Sequence, residues 1–495
     1  MGNLRGAAAA REIPAEVWIT GAIVVLAAVI RIIVINTQSF WWDESLTAYE
    51  VRLPFGAMLN TVSHIETTPP LYFVAIWVWA HLFGNGEIAL RSLSTLAGIC
   101  LVPIGYLCAR ELVSRRAGVV AAAVVALNPF MIWYSQEARA YMLLAALTGA
   151  SFLWFIRTRR EPSVRNLIWW AVWSSHALMT HFFAVFAVVP EAAWLLWIVR
   201  TRLAAAIVAV VALIEVAMLP FAAADTTHGA DWIQAIHRGH RIAATIAEWG
   251  VSILYRQTAD AGALVAGAIF LAIVSSLLLL AGDRKTRAGA KVGSSIAACV
   301  FLVPLALGVL GQDYFLSRNV IPAFIPLTVV VAAACVAPRA RIQGLALAAT
   351  LLVMFSVSAI IVQTSPGLER PNWRGVARAI GPAQAARAIV IVGGNEASPL
   401  KIYLPHVSWV QPPRRELQIQ EVDLVGAPKW LPPIRRRAPD GTTLIAYRTT
   451  AGSAINRYEF PHPIVATVGG LAKLAPGWFR RRPAAVLVFF QLPGR

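Results

Sequence analysis

The sequence predicts an all-α polytopic membrane domain followed by a smaller polar α/β domain, and three observations carry that expectation. Of 495 residues, 58% are hydrophobic and 14% charged, with a mean hydropathy of +0.64, a balance outside that of soluble globular domains. Apolar runs of roughly 17–21 residues recur, the length that crosses about 30 Å of hydrocarbon at about 1.5 Å per residue. After residue 362 the chain turns polar and its apolar runs shorten to strand and helix length.

The first run, Val17–Ile35, is too long for a signal-peptide core and lacks a small-residue cleavage site, so it reads as a retained span with a cytoplasmic N-terminus. Further spans are expected at Arg91–Ala109, Ala117–Tyr134, Arg139–Ile156, Leu167–Met179, Phe182–Val199 and Leu203–Phe221. Four more follow at Ala261–Ala281, Val292–Leu310, Val320–Ala337 and Gln343–Val362. The links ARELVSRR (109–116), RTRREPSVR (157–165), RTR (200–202), GDRKTR (282–287) and PRAR (338–341) are basic. Basic links stay cytoplasmic. That parity closes only if LYFVAIWVWAHLF (71–83) is an interfacial or re-entrant helix, which its shortness and its aromatic residues favour. Read instead as a short span, it would invert every later loop.

The chain thus divides into a membrane domain, 1–362, and an extracytoplasmic domain, 363–495. Loops 36–90 and 222–260 face the same side as that domain, and the setting expected is a bacterial-type cytoplasmic (inner) membrane. In the second domain NWRGVARAI (372–380) is helix-like, whereas AIVIVGG (388–394) and TTLIAYRT (442–449) are strand-like. The segment 466–483 reads as an amphipathic surface segment or a loop. The net charge of +18 is read through the loops of a membrane protein. It points to membrane lipids or anionic polysaccharide as neighbours and not to nucleic acid. Cys100, Cys108, Cys299 and Cys335 all lie in apolar runs, without disulfide or zinc spacing.

Chemistry gathers on the extracytoplasmic side. In SFWWDESLTAYE (39–50), Asp43 and Glu44 follow the first span at headgroup level beside Trp41 and Trp42. A carboxylate in so apolar a place suits a general base, and an exposed, ordinarily solvated pair is the alternative. HIETTPPLYF (64–73) joins His64 and Glu66 to a rigid Pro69-Pro70 turn, which also serves as an ordinary helix start. In MIWYSQEARAYML (131–143), Glu137 and Arg139 interrupt two apolar runs, as a site or as a structural ion pair. The loop carrying His237, Arg238, His240 and Arg241 suits an interfacial helix meeting lipid phosphates, or a solvated charged face. Arg318 opens a span, where a guanidinium either grips a phosphate in fork geometry or snorkels to the headgroups.

Taken in order, WWDES, TTPPLYF, FGNGEIALRSLS, NPFMIWYSQEARAYML, MTHFFAVF, SRNVIPAFIP and NWRGVARAI resemble the lipid-linked glycosyltransferases of GT-C fold. That superfamily includes protein O-mannosyltransferases and the aminoarabinose transferase of lipid A. The resemblance implies a GT-C-like domain of about 11–13 helices. It also implies transfer of a sugar from a polyprenyl-phosphate donor to a glycan, lipid or protein acceptor, with inversion at the anomeric carbon. It makes Asp43 the catalytic base, Glu44 a residue holding acceptor or metal, and Glu137 the second acidic site. Arg139 takes the neighbouring basic position and Arg318 meets the donor phosphate. A divalent cation, Mg or Mn, assists in some relatives, with Asp43 and Glu137 the candidate ligands. Thr68 departs from the pattern, because relatives often carry His or Lys before this proline. The missing cation is then expected from His64, Arg238 or Arg241. Two other functions are compatible with the composition: a flippase for lipid-linked sugars, and a ligase or polymerase using lipid diphosphates. The first would place its charges near the membrane midplane, and the second in a late external loop.

Overall fold

The first span folds as α1 (Ala15–Ile33) and already carries an arginine, Arg31, with no surface exposed. In the computed structural model, residues 14–66, 68–223, 231–252, 261–365, 368, 370–392, 399–404, 407, 416–426, 441–450, 453–474 and 486–493 are described. After α1 come three short helices, α2 (Trp42–Glu50), α3 (Phe55–Ile65) and α4 (Leu71–Phe83). Helix α4 is the short aromatic helix expected at 71–83. It packs Tyr72, Phe73 and Ile76 inward and leaves Val78, Leu82 and Phe83 exposed.

The span α5 (Glu87–Leu112) is followed by α6 (Arg115–Leu127) and α7 (Pro129–Ser135), which meet at a bend of 56°. Proline at 129 has no N–H to offer the Val125 carbonyl, which weakens the helix at this point. Asn128 caps the new start by accepting from the N–H groups of Phe130 and Met131. Arg31 caps the old end: it donates to the carbonyls of Val125 at 3.1 Å and Ala126 at 2.9 Å, and to Ser135 Oγ at 3.0 Å. Gly98 of α5 lies against this junction, where a Cβ would sit 3.2 Å from Arg31 Nε. The buried charge is thus explained by carbonyls that hydrocarbon cannot hydrate. Arg31→Leu should orphan these acceptors at about 1–3 kcal/mol each, read as a lowered thermal midpoint in detergent that Arg31→Lys restores only in part.

Helix α8 (Tyr141–Arg160) is the most deeply enclosed span. Next are α9 (Val164–Thr180), α10 (Val185–Val199), α11 (Arg202–Ala223), α12 (Asp231–Ala235), α13 (Arg238–Gly250), α14 (Ala261–Leu280), α15 (Arg284–Val309), α16 (Phe324–Cys335) and α17 (Arg341–Thr364). Among the described residues eight helices are long and apolar enough to cross a membrane, nine if α6 and α7 count as one. Every expected span coincides with a helix. Two fall short of that length: α9 has 17 residues, and α16 with its preceding 3-10 turn covers only Ile321–Cys335. Each is cut at its site end by a polar turn, at His181 and at Ser317–Asn319, that turns inward instead of reaching water. The basic links meet at the other end, where Arg157 forks onto Glu111 at 2.9 and 3.0 Å.

Beyond α17, α18 (Trp373–Ile380) leads into a five-stranded sheet of order β3-β4-β2-β1-β5. Its strands are β1 (Arg387–Val392), β2 (Leu417–Gly426), β3 (Thr443–Thr450), β4 (Ser453–Ala466) and β5 (Val486–Gln491). Strands β1 and β2 are parallel and the other pairs antiparallel. Alternation along β1 builds two cores. Ile389 and Ile391 face α18 and α19 (Leu400–Tyr403), whereas Ala388 and Val390 face α20 (Val468–Leu474). The α/β character expected of this region is the one observed, although residues 475–483 of the expected surface segment lie outside the described residues.

Candidate active site

At the end of the bundle away from the basic links, charged side chains converge from α2, α5, the α7–α8 turn, the loop before α16 and the chain after α17. Asp43 and Glu44 stand in the first turn of α2, where a helix N-terminus favours negative charge. Being adjacent on a helix they diverge, and their environments differ completely. Glu44 has no exposed surface, Glu137 has 1%, and Asp43 keeps 6%. Of the three, Asp43 is the one a substrate reaches most readily.

Glu44 is a structural hub. Arg91 binds it through two parallel bonds, Nε to Oε1 and Nη2 to Oε2, both 2.7 Å. The Ala138 N–H adds a third bond at 3.0 Å and Arg370 a fourth at 3.3 Å. Burial alone would raise this carboxyl, but Arg91, Arg370 and the Ala138 N–H outweigh it and hold it below the ordinary range. Arg91 spends its remaining donors on the carbonyls of Ile35, Gln38 and Ser39. The pair therefore shapes the α1–α2 loop, and Glu44 offers no lone pair poised for acceptor or metal.

Asp43 Oδ2 accepts from Arg318 Nη1 at 3.1 Å, and the Arg318 guanidinium lies 5.2 Å from the Tyr141 ring. Glu137 Oε2 accepts from Arg370 Nη2 at 2.5 Å, while its Oε1 is buried without a hydrogen bond. Arg370 lies between Trp41 and Trp133, 5.4 and 4.5 Å from their rings. Glu137 and Arg139 do not pair with each other. Arg139 instead forks onto Glu66 at 2.8 and 2.8 Å, locking the Pro69-Pro70 turn to the α7–α8 turn. Beside Glu66, burial and that neighbouring acid push Glu50 up to about 9, against Arg139.

Burial pushes Glu137 from the usual 4.5 to about 7; Arg370 and Arg318 oppose the rise, and Glu44 and Asp43 add to it. A folded value above the unfolded one means stability that is full below ~4.5 and lost as pH rises through ~7. The thermal midpoint should fall as pH rises from ~4.5 to ~7 and level off above that, and Glu137→Gln should flatten that dependence.

The three cations expected from elsewhere do not gather here. His64 is exposed and bonds within its own helix, Nδ1 to the Asn60 carbonyl at 2.7 Å. Arg238 and Arg241 both hold Asp313, at 2.8 and 2.6 Å, and Arg241 also binds the Phe315 carbonyl. Their forks are spent on securing α13, and Asp313 is held far below the usual carboxylate range, chiefly by Arg241. The parts of the 222–260 loop at 224–230 and 253–260 lie outside the described residues. Sequence reasoning passed over Arg91 and Arg370. Arg91 stood within the quoted FGNGEIALRSLS, and Arg370 is the first cation after the last span.

Residues 67–223 match the dolichyl-phosphate-mannose-protein mannosyltransferase family. No curated protein sequence matches the chain. Among solved structures, it is similar to ArnT from Cupriavidus metallidurans bound to undecaprenyl phosphate. The likeness covers 90% of this chain and 98% of that one, at 13% identity and a TM-score of 0.51. The chain has the GT-C fold. Partial likenesses at lower scores extend to two further proteins. For the Saccharomyces cerevisiae protein O-mannosyltransferase Pmt1-Pmt2 complex bound to the sugar donor, identity is 18%, coverage 43% and 33%, and TM-score 0.34. For AglB, the oligosaccharyltransferase of Archaeoglobus fulgidus, with an inhibitory peptide and a dolichol-phosphate, the values are 13%, 73% and 57%, and 0.40. Within this GT-C fold the family match takes in Arg91, Glu137 and Arg139. Asp43, Arg318 and Arg370 lie outside it, and only folding brings them to the same place.

Proposed function

We propose that the chain transfers a sugar from a polyprenyl-phosphate donor to an acceptor hydroxyl at the extracytoplasmic face of a bacterial-type inner membrane, with inversion at the anomeric carbon. The observation that carries this reading is the Asp43–Arg318 pair at 3.1 Å, a carboxylate 6% exposed beside a guanidinium. It lies at the bundle end remote from the basic links. The bound undecaprenyl phosphate of the similar ArnT structure supports the donor class. Residues 1–362 form the catalytic membrane domain in this reading, and 363–495 the extracytoplasmic domain.

Asp43 takes the proton of the acceptor hydroxyl as that oxygen bonds to the anomeric carbon. The bond from that carbon to the phosphate oxygen breaks, and its electron pair leaves with the phosphate. The leaving phosphate is stable as an anion, so no general acid is required; Arg318 stabilises the charge that develops on it. Glycosidases, by contrast, need two cooperating carboxylates. Among the described residues no three His, Cys, Asp or Glu side chains converge as a metal set. Asp43 and Glu137 each bind an arginine, whose charge balances the carboxylate.

The test presents purified full-length protein with undecaprenyl-phosphate mannose or an undecaprenyl-diphosphate sugar, each with glycan, lipid and protein acceptor fractions. Transfer from the monophosphate alone, with inverted anomeric configuration, is expected. Transfer from the diphosphate alone would indicate a ligase, and translocation without bond cleavage a flippase.

A further inference from the structure

Residues 36–40, which lead from α1 to the two acids, are gripped from two sides. On one side Arg91 of α5 binds the carbonyls of Gln38 and Ser39. On the other, the chain beyond α17 makes a row of bonds. The Arg370 N–H donates to Gln38 Oε1 at 3.2 Å. Ser39 Oγ donates to the Pro371 carbonyl and accepts from the Trp373 N–H, both 2.9 Å. The Tyr403 hydroxyl accepts from the Phe40 N–H at 2.7 Å and donates to Glu87. Arg374 reaches Glu87 at 2.6 Å.

From this seam the Arg370 side chain enters the site. Two tryptophan rings flank its guanidinium, so its plane is set, and its two terminal nitrogens reach different carboxylates, Glu44 and Glu137. Among the described residues no other side chain anchors the Glu137 carboxylate, and its second oxygen is buried without a hydrogen bond. The direction in which that oxygen points is therefore set by Arg370.

We propose that Arg370 is a positioning residue through which the seating of the C-terminal domain orients Glu137 and the acidic first loop, so that the site is assembled only when that domain is docked. The inference rests on reading the site as a sugar-transfer centre. A domain lifted from the seam withdraws the same cation from Glu137 and Glu44 together, and frees the backbone that leads to Asp43.

The test uses full-length protein with Arg370→Gln, Arg370→Lys and Tyr403→Phe. Hydrogen exchange of amides 36–50 should accelerate by ~10-fold in Arg370→Gln and measurably in Tyr403→Phe, with β1 and β2 amides unchanged. Turnover with undecaprenyl-phosphate mannose should fall more than ~10-fold in Arg370→Gln at a donor KM within ~2-fold of wild type. Lys should rescue part of the loss, because it keeps the charge but not the fork. The losses in the double variant Glu137→Gln/Arg370→Gln should be clearly less than the sum of the two single losses. Unchanged exchange at 36–50 in both Arg370→Gln and Tyr403→Phe, or additive losses in the double variant, overturns the inference. If Arg370→Gln does not fold, Tyr403→Phe decides by exchange alone. Loosened exchange with no transfer by wild type from any donor would leave the coupling standing and remove the proposed activity.

Discussion

Asp43→Asn should lower transfer turnover by about 10²–10⁴-fold while binding of undecaprenyl phosphate stays near that of wild type. Asparagine has the same shape and still accepts from Arg318, so the 3.1 Å contact and the start of α2 persist. What disappears is the ability to take a proton. The contrast with Glu44 is informative: the adjacent carboxylate is equally acidic by composition, but Arg91, Arg370 and the Ala138 N–H already hold it. Glu44→Gln should therefore report on folding and loop position, and Asp43→Asn on chemistry. Arg318→Gln should weaken both turnover and phosphate binding, because that guanidinium serves carboxylate and leaving group alike.

Arg91→Ala should destabilise the protein by about 3–5 kcal/mol, the usual cost of leaving a buried charge without its partner. Glu44 would keep Arg370 at 3.3 Å and the Ala138 N–H, but lose both 2.7 Å bonds. The carbonyls of Ile35, Gln38 and Ser39 would lose their donor as well. Thermal unfolding of detergent-solubilised protein measures the loss. Removing both partners, as in Glu44→Gln with Arg91→Met, should cost less than Arg91→Ala, because no lone charge is then buried.

What could be read from the chain depended on distance along it. Spans are local: an apolar run of sufficient length declares itself, and each one expected here is a helix. The thirteen-residue aromatic helix at 71–83 was legible as well. The bend at Asn128-Pro129 joins a missing N–H to a local cap by Asn128, both readable in the sequence. Asp43 and Arg318, 275 positions apart, were named together because charge parity assigned them to one face, although parity alone does not make them touch. Pairings were not legible. Glu137 and Arg139 looked like partners because they are neighbours, yet a turn points them apart, and their counter-ions come from Arg370 and Glu66. Arg238 and Arg241 have the pattern of phosphate ligands, yet both bind Asp313. A charge pattern gives the side of the membrane, and only packing decides which opposite charge is nearest.

A density map of the full-length Asp43→Asn protein with undecaprenyl phosphate tests the central claim most directly. The account predicts a phosphate oxygen within ~2.7–3.2 Å of Arg318, at the same end of the bundle as residue 43 and with Glu44 still on Arg91. A phosphate seated at the opposite end, among Arg157, Arg284 and Arg339, would contradict it.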